Sequence, residues 1–314
     1  MNFRTQIPTK TVYNQIDYNS NLLLLGSCFA ENIGDKFEYF KFQNSINTFG
    51  ILFHPKSIEN LITHSINRKE YTNADVFYHN ERWHCFDANS DLSNTSKEVL
   101  LQNLNEAIAS THHHLNSATH LVITLGTSWV YRQIESDIIV SNCHKIPQKK
   151  FLKELLSVDE ITASLENSIA LLKSVNPKIE IIFTVSPVRH LKDGFVENSL
   201  SKANLIAATH QVIDPRNHIH YFHSFEIMLD DLRDYRFYKS DMLHPNETAI
   251  EYIWQHFKNT WISENSFDLM DEIAAIQKGL AHRPFNEASD QHQKFLKKLH
   301  LKIDALKSQH NIFF

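Results

Sequence analysis

Glycine is scarce, at six residues in 314, and none of the six sits in a phosphate-cradling loop. That argues against a nucleotide-binding protein. Cysteine is scarcer still: Cys28, Cys85 and Cys143 are few and odd in number, so no disulfide framework is indicated. Neither a His-Glu-x-x-His nor a paired Cys-x-x-Cys is present to mark a metal site. The run His112-His113-His114 points its rings in different directions on a helix and reads as a solvated helix end. No cofactor and no metal are expected. Long apolar runs are missing too; the aliphatic stretch at 22–25 is four leucines, far too short to cross a bilayer. Residues 1–18 are polar and lack the basic-then-apolar pattern of a signal peptide, which makes the cytoplasm the expected compartment. Charge of one sign is also lacking. With 31 Lys and Arg against 36 Asp and Glu, the net charge of −5 offers no footprint for nucleic acid or an anionic membrane. Histidine, at 20 residues, is so abundant that a lone imidazole says little.

What is present is ordinary globular material, 42% hydrophobic, enough to bury a sizeable core. One α/β domain over residues 1–260 with a helical extension over 261–314 fits the length. The unalternating leucines at 22–25 suit a parallel strand covered on both faces. The chain then breaks at Gly26-Ser27 and continues as a helix over 28–40. Further strands are expected at 44–48, 120–125, 179–185 and 218–222. Helices are expected at 54–67, 95–115, 159–175, 198–211 and 245–261, with a hairpin in 72–94 and an irregular insert after Gly126. Strands alternating with helices predict a parallel sheet wrapped on both sides, with ligands at the carboxyl ends of its strands. Beyond residue 263 two amphipathic helices follow. In the second, Phe295, Leu299, Ile303 and Leu306 make one apolar face, expected to pack on the domain.

The strand ends are where chemistry is sought. Ser27 lies where a buried strand turns into a helix, within reach of free N–H groups and the positive end of the helix dipole. A serine there also serves as a plain helix cap. Asp241-Met242-Leu243-His244 places a carboxylate and an imidazole three residues apart, so one ring nitrogen can be held while the other acts as a base. Cys28, at a helix start where a thiol's pKa falls, is a rival nucleophile but also a natural small packing residue; Ser27 is preferred. Arg189 and His190 follow the strongest strand and suit an anionic or polar part of a substrate, with a structural salt bridge as the other role for the arginine. Asn142, His144 and Lys145 form a polar cluster in the insert. His54 reads as incidental.

Gly26-Ser27-Cys28-Phe29-Ala30, continued by Glu31-Asn32-Ile33-Gly34, spells the motif of the GSCFA family. Asn47-Thr48-Phe49-Gly50, the stretch from Leu125 to Tyr131, Asn142-Cys143-His144-Lys145, Ser186-Pro187-Val188-Arg189-His190 and the stretch from Asp241 to Pro245 also resemble it. The likeness covers roughly residues 20–260. The family is similar to SGNH hydrolases, which implies a flavodoxin-like, three-layer α/β/α fold with a mainly parallel sheet. Carried over, Ser27 matches the nucleophile, Asp241 and His244 its acid–base partners, and Ser27 and Gly50 supply backbone N–H groups to the oxyanion. The third block departs from the pattern. Gly126-Thr127-Ser128-Trp129 lacks the usual amide, leaving Thr127, Ser128 or Asn142 to replace it. The implied activity is a serine esterase acting on a small or carbohydrate ester, with acyl transfer or non-catalytic ligand binding as alternatives. Oligomeric state is not set by the sequence.

Overall fold

Four consecutive leucines need apolar partners on both sides, and they find them in two separate cores. The computed structural model describes residues 5–314, so residues 1–4 of the polar amino-terminal stretch lie outside it. In chain order come β1 (Asn21–Gly26), α1 (Cys28–Tyr39), β2 (Gln43–Ile46), α2 (Pro55–Ile66) and the hairpin β3 (Phe77–His79) and β4 (Arg82–His84). Next are α3 (Lys97–Ser117), β5 (His120–Leu125), β6 (Trp129–Gln133), β7 (Ile139–Val140), β8 (Phe151–Leu155) and α4 (Val158–Val175). The domain ends with β9 (Glu180–Val185), α5 (Phe195–Val212), β10 (Ile219–Phe222), the short α6 (Ser224–Glu226) and α7 (Glu247–Trp261). Last are α8 (Phe267–Leu280) and α9 (Asp290–His310).

Leu22 and Leu24 pack with Phe29, Phe37, Trp254 and Phe257 on one side of the sheet. Leu23 and Leu25 pack with Leu61, Leu100, Leu104 and Leu165 on the other. This two-sided burial is the pleat acting on an apolar run. The sheet runs β10-β9-β5-β1-β2, and every pairing in it is parallel. This is the flavodoxin-like three-layer α/β/α arrangement, and its strand order reverses between β1 and β5, where ligands bind in such sheets.

Caps fix the helix starts. Ser27, His54, Ser96, Ser157 and Asn246 each accept a backbone N–H of the turn they open. His54 thus has a structural job, its second ring nitrogen meeting Val140 O at 3.1 Å. Helix α5 begins at Phe195, three residues ahead of the sequence-based start. The insert expected to be irregular is a second, antiparallel sheet ordered β7-β6-β8. At the carboxyl end, Ile273, Ile276, Leu299 and Leu306 form a small core of their own, so α9 turns its apolar stripe inward.

Candidate active site

The turn after β1 is tightly determined. Gly26 has φ +131°, and a Cβ there would run into the carbonyl oxygen of Thr124, so only glycine fits. Its N–H donates to Asn47 Oδ1 at 2.9 Å, and the Ser27 N–H donates to Thr124 O at 3.0 Å. Ser27 caps α1, its Oγ accepting from the Phe29 N–H at 3.3 Å, and it is 0% exposed. That bond is the sole one at the Ser27 hydroxyl among the described residues. Beside it, the Cys28 thiol is not activated as a helix start would suggest. Burial, followed by the Glu31 charge, pushes its pKa up, and Lys202 and Lys239 offset only part of this.

The second half of the site is the loop before α7. Asp241 Oδ2 and His244 Nδ1 lie 2.7 Å apart. Asp241 Oδ1 accepts the backbone N–H groups of Leu243 at 2.8 Å and His244 at 3.0 Å. The motif closes as a tight loop with Met242 at φ +59°, not as a helical turn. The backbone donors of His244 and Leu243, then the ring itself, hold the Asp241 carboxyl down to about 2. It is therefore charged at any physiological pH, and the imidazole is turned with Nε2 away from it. Arg189 N–H donates to Leu243 O at 3.2 Å, tying this loop to the one after β9.

The expected oxyanion donors need correction. Each N–H is already committed: Ser27 to Thr124 O, Gly50 to Asn47 O at 2.6 Å, and Thr127 to Phe53 O at 3.0 Å. The Ser128 N–H goes to Ser201 Oγ at 2.8 Å. The hydroxyls are committed as well. Thr127 Oγ1 pairs with Ser201 Oγ and accepts from Trp129 N–H, and Ser128 Oγ donates to Ser201 O at 3.1 Å. These groups fasten the end of β5 to α5.

His144 is corrected too. Its ring nitrogens meet Ser90 Oγ at 3.2 Å and Cys85 O at 2.7 Å, and burial lowers its pKa to about 4. It pins the insert to the β4 end of the hairpin and has no nitrogen left for a substrate. Asn142 Oδ1 caps the His144 N–H at 2.8 Å, while Asn142 and Lys145 border a cavity. Arg189 has no carboxylate partner among the described residues, which removes the salt-bridge role. Its guanidinium lies over Tyr238 and Tyr235, 4.4 and 5.1 Å from the ring centroids.

The imidazole that flanks the turn is that of His190. A Cβ placed on Gly126 would sit 3.3 Å from Ser27 Cβ and 3.4 Å from His190 Nε2. His190 also walls a cavity of about 570 Å³, together with Phe53, Trp129, Tyr131, Asn142 and Phe151. Beneath lies a residue that sequence reasoning missed, Lys202 on α5, whose Nζ donates to Gly126 O at 2.7 Å and Ser186 O at 2.6 Å. Its place on the buried stripe with Leu205, Ala208 and Val212 was a readable signal, since a lysine in such a stripe needs a buried partner. Among the described residues no group of three or more His, Cys, Asp or Glu side chains is arranged to hold a metal ion. None of their helices is long and apolar enough to cross a membrane.

Among solved structures, a carbohydrate esterase family 3 protein from Talaromyces cellulolyticus aligns with 81% of this chain and 99% of its own, at 8% identity and a TM-score of 0.39. No curated protein matches the sequence. The model for the GSCFA domain protein, C-terminal domain, matches residues 273–314. The GSCFA family model matches residues 21–257, spanning both the Ser27 turn and the Asp241–His244 loop; the chain belongs to the GSCFA family.

Proposed function

We propose that the protein is a serine esterase that removes an acyl group from a small or carbohydrate ester through an acyl-Ser27 intermediate. The observation that carries this is the 2.7 Å pair of Asp241 and His244, oriented by two backbone donors on the same sheet edge as Ser27. Ser27 Oγ leaves its cap bond to Phe29 and gives its proton to His244 Nε2 as it attacks the ester carbon. The tetrahedral adduct then expels the alcohol oxygen, which takes that proton from His244. A water molecule, deprotonated by the same nitrogen, attacks the acyl carbon, and the C–Oγ bond breaks to regenerate Ser27. An alcohol in place of water makes the same intermediate an acyl transferase. The cavity of about 570 Å³ lies in the range of small-molecule sites and suits a compact substrate.

The committed N–H groups around Ser27 favour a second reading, a ligand-binding module without turnover. Fluorophosphonate labelling of the folded full chain separates the two. Adduct on Ser27, absent in Ser27→Ala and much slower in His244→Ala, supports the esterase. A folded protein that several such probes leave unlabelled is the binder.

A further inference from the structure

We infer that His190 is the missing oxyanion donor: its Nε2–H points at the carbonyl oxygen of the ester attacked by Ser27. The inference rests on the acyl-Ser27 reading. Its starting point is an orphan. His190 Nε2 is buried without a hydrogen-bond partner, a condition that calls for a reason. The orphan lies beside the nucleophile, flanking the same point next to Gly126 as Ser27 Cβ does. The four N–H groups expected to donate there, those of Ser27, Gly50, Thr127 and Ser128, are all spoken for.

The ring is also held. Its backbone N–H donates to Asn198 Oδ1 at 2.8 Å, and the Phe53 ring meets it edge-on with centroids 5.6 Å apart. A fixed donor aimed at developing charge needs no reorganisation during reaction, which is what makes such donors effective. The groups facing the ring keep it uncharged. Burial first, then the Lys202 and His244 charges, hold its pKa down to about 3. A neutral imidazole keeps one N–H to give and does not compete with His244 for the Ser27 proton. No described residue bonds to His190 Nδ1, and we place the proton of the neutral ring on Nε2. In the step itself, Oγ bonds to the ester carbon and the carbonyl electron pair moves onto oxygen. Nε2–H donates to that oxygen without transferring its proton, and the bond relaxes as C=O reforms.

Two substitutions in the full chain test this, His190→Ala and His190→Gln, the second returning an N–H donor near the Nε2 position. The readouts are fluorophosphonate labelling rate, kcat and KM on p-nitrophenyl esters, and the kcat/KM–pH profile. His190→Ala should lower kcat and labelling rate by about 10²–10³-fold with KM within about threefold. His190→Gln should recover at least about tenfold of that and keep the acid limb of the pH profile, where the base titrates. Alanine activity within about threefold of wild type, or above it, overturns the assignment, the latter marking the ring as an obstacle. Glutamine as slow as alanine overturns it as well, and so does loss of the acid limb, which would make His190 the base. Wild type that fails to label at Ser27 removes the esterase reading and this inference together. Labelled wild type with an unaffected alanine variant removes this inference alone.

Discussion

Replacing Lys202 with methionine gives a stability change whose size and pH dependence both follow from its surroundings. Its Nζ is enclosed and has two acceptors, Gly126 O and Ser186 O. A neutral amine carries two N–H bonds and satisfies both; the third N–H of an ammonium finds no acceptor among the described residues. Burial lowers its pKa to about 7, with Cys28 pulling weakly the other way. The unfolded lysine titrates near about 10.4. Between those values the unfolded chain binds more protons, so stability rises with pH, by about 2 kcal/mol from pH 7 to pH 9. Methionine strands two buried carbonyls at roughly 1–3 kcal/mol each. At pH 9 the wild type still carries about 2 kcal/mol of deprotonation cost, so Lys202→Met should be less stable there by up to about 4 kcal/mol, and the balance should move by about 2 kcal/mol in the variant's favour at pH 7. Urea unfolding of both proteins at the two pH values measures this, because subtraction cancels every other titrating group. A difference between the two proteins that is the same at pH 7 and pH 9 refutes the buried-amine account.

Three further outcomes are expected. Asp241→Asn should keep the loop's backbone hydrogen bonds yet lower ester turnover by about 10⁴, because the amide selects the wrong imidazole tautomer; a loss under tenfold counts against the relay. Gly26→Ala should lower the thermal midpoint sharply, by more than about 3 kcal/mol in stability, since its Cβ meets the backbone oxygen of Thr124; a melt within a degree of wild type contradicts that. Glu180 is buried. Burial would raise its pKa, but hydrogen bonds from His220, Asn14 and His218 outweigh it and hold the carboxyl to about 2. The depressed pKa contributes about 3 kcal/mol of stability above pH about 4.5, lost as pH falls toward 2. Acid titration of Glu180→Gln should be flatter across that window.

The sheet was legible because its strands are predominantly apolar: 22–25 is all leucine, and 120–125 and 179–185 are broken only by His120, Thr124, Glu180 and Thr184, a pattern that favours two-sided burial. The insert was not legible. In β6 and β8 only Val130 and Phe151 are buried, and Arg132 pairs with Glu154 across the strands at 2.9 Å, so charge hides the pattern. Asp241 and His244 were found from their spacing, although a loop with Met242 at positive φ, and not a helical turn, brings them together. The oxyanion assignments went astray for a different reason. Whether an N–H is free depends on acceptors far away in the chain, here Thr124 O, Phe53 O and Ser201 Oγ, and no local motif reports those. His144 carries the same lesson, since its partners Ser90 and Cys85 lie more than fifty positions upstream.

The carboxyl-terminal helices reach the Ser27 turn by an indirect route. Gln277 Nε2 donates to Tyr39 O at 3.0 Å, and Tyr39 OH reaches Ala274 O at 3.5 Å, so α8 clamps the last turn of the helix that Ser27 opens. A rod gripped at its tail keeps its head aimed. Shaving residues from α8 would then blur the direction of the Ser27 hydroxyl at the opposite end, a remote lever on its alignment.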